Sequence, residues 1–322
     1  MANEQPDRRT VLKWMLAAAS TLPLGLGATG AVRAETDSQS DESRQLPGDG
    51  LGLALGSGGA AGLSHILVFE VLDELGIRPR HIAGSSIGAL LGAFYASGMS
   101  GREIREMVIE LVPGNGREWL GALFTRDWAR AFAMLRPGLE NVNVFEPDEA
   151  MAVLDDLLGA KTFEALEIPL TVVATDLWAR EEVLFTEGEL LRPLMASAAM
   201  PGVFQPVHYQ DRVLVDGGMV NPVPFEHVTK DGGLTVAVDA LGKRSKPENN
   251  KDTGYMDGLF NTFKVMQHAI ITQRRRLVEP DIFLSPEVTD VRVLEFYRYE
   301  QIFNQARPEA ERLKRELEDR LG

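Results

Sequence analysis

From residue 50 onward, short apolar runs alternate with longer stretches of helical periodicity. Leu51–Leu55, the run around Ile82, Leu170–Thr175, Val213–Val215, Thr235–Val238 and Ile282–Leu284 are brief and apolar on both faces. Such runs mark strands buried on two sides. Between them, apolar positions recur at helical spacing, as at Leu67, Val71, Leu72 and Leu75. Phe263, Met266, Ala269 and Ile270 form a second such pattern. Leu313, Leu317 and Leu321 form a stripe on a charged helix that ends the chain, where packing onto the domain is the expected role. The alternation predicts a three-layer α/β/α fold with a largely parallel central sheet, over residues 50–322. Residues 35–49 are polar and read as a disordered spacer. Lys243–Asp252 reads as an exposed loop. Between Gly98 and Glu146, Trp119, Leu120, Phe124, Trp128 and Phe132 crowd together. They suit either an apolar pocket wall and lid or ordinary core.

Chemistry concentrates at the strand ends. The run ending in Gly84-Ser85-Ser86-Ile87-Gly88 leads into a small-residue helix. Strand, sharp turn with serine at the apex, then helix is the context of a nucleophile elbow. Gly84 and Gly88 let strand and helix approach where a Cβ would clash. The bland reading is a βα turn that merely packs well. Upstream, Leu51–Leu55 runs into Gly56-Ser57-Gly58-Gly59-Ala60-Ala61-Gly62 and then a helix. A glycine-rich turn of this kind presents a row of backbone N–H groups that binds an anion, here the oxygen of a tetrahedral acyl-transfer intermediate. Gly56, Gly58 and Ala61 also fit a loose dinucleotide fingerprint. The required acidic residue is misplaced, since Asp73 and Glu74 come early and inside the helix. Downstream, Arg212–Val215 ends in Asp216-Gly217-Gly218, an acid at a strand end or simply an Asp-Gly turn.

Taken in order, these segments resemble the patatin-like phospholipase family: glycine-rich nest, GxSxG, and Asp-Gly-Gly 130 residues after the serine. The segment Ala196–Val207, with Met200-Pro201-Gly202, adds a fourth likeness, and the resemblance spans roughly residues 50 to 240. It implies a lipid acyl hydrolase working through a serine–aspartate dyad and an acyl-serine intermediate. Ser86 would be the nucleophile and Asp216 the proton acceptor. Amides of Gly58, Gly59 and Ala60 would form the oxyanion hole. Gly62, Gly84, Gly88, Gly217 and Gly218 would be the motif glycines. No cofactor or metal is implied. The chain departs from the family pattern twice: Ser57 stands where the first nest glycine is usual, and Ala61 where a basic residue is usual. Arg78, Arg80 and Arg180 are candidate replacements for that cation. Two alternatives stay open. One is a Ser-Asp-His esterase, with Asp176 as the acid and His227 or His268 as the base. The other is a catalytically silent lipid-binding protein on the same scaffold.

The remaining features narrow the setting. The chain has no cysteine and five histidines, with no local zinc spacing. A net charge of −14 disfavours nucleic acid as a partner. It also gives no general attraction to anionic membranes, so peripheral membrane contact needs a local face. Arg274-Arg275-Arg276 is the strongest cation cluster, read either as a solvated helix end or as a contact for anionic lipid heads. Asp7-Arg8-Arg9-Thr10-Val11-Leu12-Lys13, a moderately apolar stretch from Trp14 to Val32, and Val32-Arg33-Ala34 resemble a twin-arginine export signal cleaved after Ala34. Residues 1–34 are therefore expected to direct export to the periplasm or beyond. An uncleaved anchor is the alternative.

Overall fold

Leu51, Leu53 and Leu55 alternate with Gly52 and Ala54 along the first strand, and the two sets face different cores. The same division recurs in Ile82 against Ala83, and in Val236 and Val238 against Ala237. One sheet face therefore carries large side chains and the other small ones. The computed structural model describes residues 50–112, 154–155, 157–228, 233–242 and 255–321. All lie within one compact unit, Arg44–Gly322. The expected spacer, the export signal and most of the expected lid lie outside the described residues.

Among the described residues eight strands form one sheet: β1 (Leu51–Leu55), β2 (His81–Ser85), β3 (Leu170–Asp176), β4 (Glu181–Phe185), β5 (Val207–Tyr209), β6 (Arg212–Asp216), β7 (Leu234–Val238) and β8 (Ile282–Leu284). Hydrogen-bonded neighbours run β5-β6-β3-β2-β1-β7-β8, and β4 also pairs with β3. The β1–β2, β1–β7, β2–β3 and β7–β8 pairs are parallel; β3–β4, β3–β6 and β5–β6 are antiparallel. Against the large-residue face pack α1 (His65–Glu74), α2 (Ile87–Ala96) and α6 (Tyr299–Leu321), whose Leu313 and Leu317 are fully buried. The other face is covered by Val223, Phe225 and Val228, with Ile271 of α5 (Tyr255–Leu277). Small residues are required there because backbone comes close: a Cβ on Gly52 would lie 2.4 Å from the Val228 carbonyl oxygen. The expected three-layer, largely parallel architecture is what the structure has.

Two further described helices are α3 (Gly101–Leu111) and α4 (Leu191–Ser197). A capping box starts α3: Glu103 N–H donates to Ser100 Oγ, and the Glu103 carboxylate accepts from Ser100 N–H. Through Met195, Ala196 and Ala199, α4 and the turn after it pack against β3 and β6.

The pairing around β3 positions the site. Val172 and Val173 pair with both β2 and β4, so those two strands occupy opposite edges. Ala174 to Asp176 pair with both β4 and β6, which places β6 on the edge β2 uses. Along that edge β2 stops at Ser85, opposite Val173, and β6 stops at Asp216, opposite Ala174. The two strands run toward each other and meet end to end. Whatever follows Ser85 must therefore confront Asp216.

Candidate active site

Ser86 follows Ser85 at φ 56°, ψ −126°, outside the ordinary regions for a residue with a side chain. Tight packing holds it there. A Cβ on Gly84 would lie 2.6 Å from the Ala89 backbone, and one on Gly88 only 2.2 Å from the Leu55 carbonyl oxygen. The Ser86 N–H donates to Ser197 Oγ of α4 at 2.8 Å, and the Ser86 carbonyl accepts from Ala89 and Leu90 as α2 begins. The strained turn thus aims the side chain away from α2 and across to β6.

There Ser86 Oγ donates to Asp216 Oδ2 at 2.6 Å. The other carboxylate oxygen, Oδ1, accepts from Gly218 N–H at 2.7 Å. Asp216 is only 3% exposed. Burial pushes its carboxyl up to about 6, with the hydrogen bonds from Ser86 and Gly218 holding it from rising further. No imidazole stands between the two groups. Gly217 is needed because a Cβ there would lie 2.1 Å from the Val173 carbonyl oxygen.

The glycine-rich segment after β1 packs against both. A Cβ on Gly62 would strike Ile87 at 2.3 Å, and one on Gly218 would meet Ser57 Oγ at 2.7 Å. Gly56 N–H donates to Val238, Ser57 N–H to Pro222 and Ala60 N–H to Val293. Ala60 therefore does not suit the expected oxyanion hole, because its amide is already committed to a carbonyl. The Gly58 and Gly59 amides make no hydrogen bond to another described segment. His65 is fully buried beneath the loop and its Nε2 bonds the Gly56 carbonyl at 2.8 Å. Burial lowers its pKa to about 4, so the ring is neutral and Nε2 is the donor.

Two residues that the sequence leaves without a role enter here. Ser57 is buried, and its hydroxyl accepts from Gln267 Nε2 of α5 at 3.2 Å. The same Nε2 donates to the Gly218 carbonyl at 3.1 Å. Ala61 is buried with its methyl group against Gly242.

The alternative acids, bases and cations lie elsewhere. Asp176 Oδ1 caps the β3–β4 turn by accepting from Trp178 and Ala179 N–H. His227 Nε2 bonds Glu182 at 2.9 Å, and His268 lines a separate cavity of about 380 Å³ with Asp239 and Lys264. Neither histidine bonds Ser86 or Asp216, so no triad is assembled around Ser86 among the described residues. Arg78 and Arg80 precede β2, at the end of that strand opposite Ser86. Arg180 sits exposed in the β3–β4 turn. Arg274 pairs with Glu226, Arg275 pairs with Glu279 and lies over Phe283, and Arg276 donates to Gln273 Oε1 at 3.3 Å, so all three arginines in that run have protein partners. A larger cavity, about 550 Å³, opens beside Arg80, His81 and Phe163 at the amino ends of the strands, away from Ser86. Glu182, Glu226 and His227 come within ligand reach of one another. Glu182 Oε1, Glu226 Oε1 and His227 Nε2 are bonded to Asn221, Arg274 and each other, while Glu226 Oε2 is buried without a partner among the described residues.

A family profile described as patatin-like phospholipase matches residues 53–229, which contain the glycine-rich loop, Ser86 and Asp216. An uncharacterized NTE family protein of Mycobacterium bovis is 34% identical over 201 residues, covering 62% of this chain and 51% of that protein. The neuropathy target esterase sws of Drosophila melanogaster is 29% identical over 219 residues, covering 67% of this chain and 14% of that protein. The chain thus spans about half the length of the mycobacterial relative and far less of the fly protein. VipD from Legionella pneumophila is similar at a TM-score of 0.44 and 15% identity, over 82% of this chain and 67% of VipD.

Proposed function

The chain belongs to the patatin-like phospholipase family, and on that premise we propose that it is a lipid acyl hydrolase using Ser86 and Asp216 as a two-residue machine. The observation that carries this is the 2.6 Å hydrogen bond from Ser86 Oγ to a buried carboxylate, at a strained elbow with no histidine between them. In the first step Ser86 Oγ attacks the ester carbonyl carbon while its proton passes to Asp216 Oδ2. The carbonyl oxygen gains negative charge, which the Gly58 and Gly59 amides are available to receive. Each such donor is worth about 10²–10³ in rate. The tetrahedral species collapses, the bond to the alcohol breaks, and Asp216 returns the proton to the departing oxygen. Water then attacks the acyl-serine carbonyl with Asp216 again accepting a proton; the bond to Ser86 Oγ breaks, Asp216 returns the proton to Oγ, and the fatty acid leaves. A carboxyl raised to about 6 suits this work, being ionised at neutral pH yet more basic than an exposed aspartate.

The test is fatty acid release from phosphatidylcholine vesicles by the purified chain, with p-nitrophenyl butyrate as a soluble ester. Wild type should hydrolyse both, and Ser86→Ala should lose both. Vesicle binding without turnover of either ester would contradict the reading and point to a silent lipid-binding protein. Separate Ala substitutions of His227 and His268 should leave the soluble activity intact. A collapse in one of them would restore the triad.

We also propose that residues 1–34 direct export by the twin-arginine route, from the Arg8-Arg9 pair and the Val32-Arg33-Ala34 ending. Replacing both arginines by lysine should hold the full chain in the cytoplasm. Unchanged export would refute this.

A further inference from the structure

Gln267 is the one described member of α5 whose side chain reaches both chemical segments. Its Nε2 donates to Ser57 Oγ in the glycine-rich loop and to the Gly218 carbonyl in the turn after Asp216. Both partners are buried, and Gln267 itself is 6% exposed. Gly218 is thereby held from both sides: its N–H donates to Asp216 Oδ1, and its carbonyl accepts from Gln267. A Cβ on Gly218 would lie 2.6 Å from Gln267 Nε2 and 2.7 Å from Ser57 Oγ, so the glycine is fitted to this pair.

We propose that Gln267 and Ser57 form a positioning pair that holds Gly218 through the peptide on its carbonyl side, so that its N–H stays aimed at the base carboxylate. Gln267 uses the Ser57 hydroxyl, an acceptor that a glycine at position 57 would lack. The inference rests on the dyad reading above. Its physical content is simple. A hydrogen bond to the ionised carboxylate favours that form. Freeing the Gly218 carbonyl lets the turn relax, weakens the bond to Oδ1 and makes Asp216 harder to ionise. Charged groups on the surrounding elements are otherwise engaged: Asp176 of β3 by the turn amides, Glu182 of β4 by His227 and Asn221, and Arg274 of α5 by Glu226. Burial raises the Asp216 carboxyl, and the hydrogen bonds from Ser86 and Gly218 oppose that rise.

The experiment compares pH profiles of kcat/KM for p-nitrophenyl butyrate in wild type, Gln267→Met, Ser57→Gly and the double variant. Methionine keeps the length of the side chain and removes the donor. In Gln267→Met the acid limb should move up by about half a unit to one unit, with kcat reduced several-fold below the limb and KM little changed. Ser57→Gly should shift it less, since the bond to Gly218 survives, and the double variant should match Gln267→Met. A limb that stays in place in Gln267→Met, whatever happens to its melting temperature, overturns the proposal. Should Gln267→Met fail to fold, the smaller shift in Ser57→Gly decides, and no shift there is equally adverse. If wild type hydrolyses nothing, the hydrolase reading falls separately. The pair is then read from the ¹³C titration of the Asp216 carboxyl, assigned by its loss in Asp216→Asn. An upward shift in Gln267→Met supports the pair and an unchanged midpoint refutes it.

Discussion

Replacing Asp216 with asparagine should remove the activity and make the fold more stable, with a gain that depends on pH. The carboxyl lies at about 6 in the folded chain against 3.8 for an ordinary aspartate. Each unit is 1.36 kcal/mol, so the ionised form destabilises the fold by about 3 kcal/mol. The sign follows from proton counting. Between pH 3.8 and 6 the folded state binds more protons than the unfolded one, so stability falls as pH rises through that window and is flat above it. Asparagine has nearly the same shape, keeps an oxygen for the Gly218 N–H and can donate to Ser86 Oγ through Nδ2. It therefore removes the charge while preserving the bonds. Urea unfolding at pH 8 should show Asp216→Asn more stable by up to about 3 kcal/mol, or roughly 6–12 °C in Tm for a domain of this size. At pH 4 and below the two curves should converge. A gap that is the same at pH 4 and pH 8, or a variant less stable at pH 8, would refute the assignment of Asp216 as a buried base held at a stability cost.

His65 has the opposite slope. Its folded value of about 4 against 6.5 means that stability is lost as pH falls from 6.5 toward 4. His65→Gln, which keeps a donor for the Gly56 carbonyl, should flatten that loss by about 3 kcal/mol in acid unfolding curves. Relief of the Ser86 backbone should make Ser86→Gly more stable than Ser86→Ala by about 1 kcal/mol or more in the same assay, because only glycine adopts φ 56°, ψ −126° without strain. Gly88→Ala should fail to accumulate as folded protein, since its methyl group would sit 2.2 Å from the Leu55 carbonyl oxygen. Soluble expression with a wild-type melting curve would contradict that.

The elbow and the glycine-rich loop were legible because each is local: a strand, small residues and a helix within a dozen positions. The partnership of Ser86 with Asp216 was legible only through resemblance. It depends on β6 running antiparallel to β3 and stopping where β2 stops, and a three-residue apolar run such as Val213–Val215 does not encode its direction. β4 is not legible in the pattern because Val183 is its one buried residue beside two glutamates. Along α5 the apolar spacing marks Phe263, Met266, Ala269 and Ile270. The structure instead exposes Val265 (70%) and Met266 (48%) and buries Gln267 and Ile271. Near the Gly218 carbonyl this helix packs against polar backbone, so a donor is more useful there than a methyl group. The engagement of the Ala60 amide is illegible for a related reason, since its partner, Val293, is remote in sequence.

Mass-spectrometric mapping of a fluorophosphonate probe on the purified folded chain tests the dyad most directly. We expect one adduct, on Ser86, formed at wild-type rate in His227→Ala and His268→Ala and absent in Asp216→Asn. An adduct on another serine, undiminished labelling in Asp216→Asn, or none in a folded wild-type protein would contradict it.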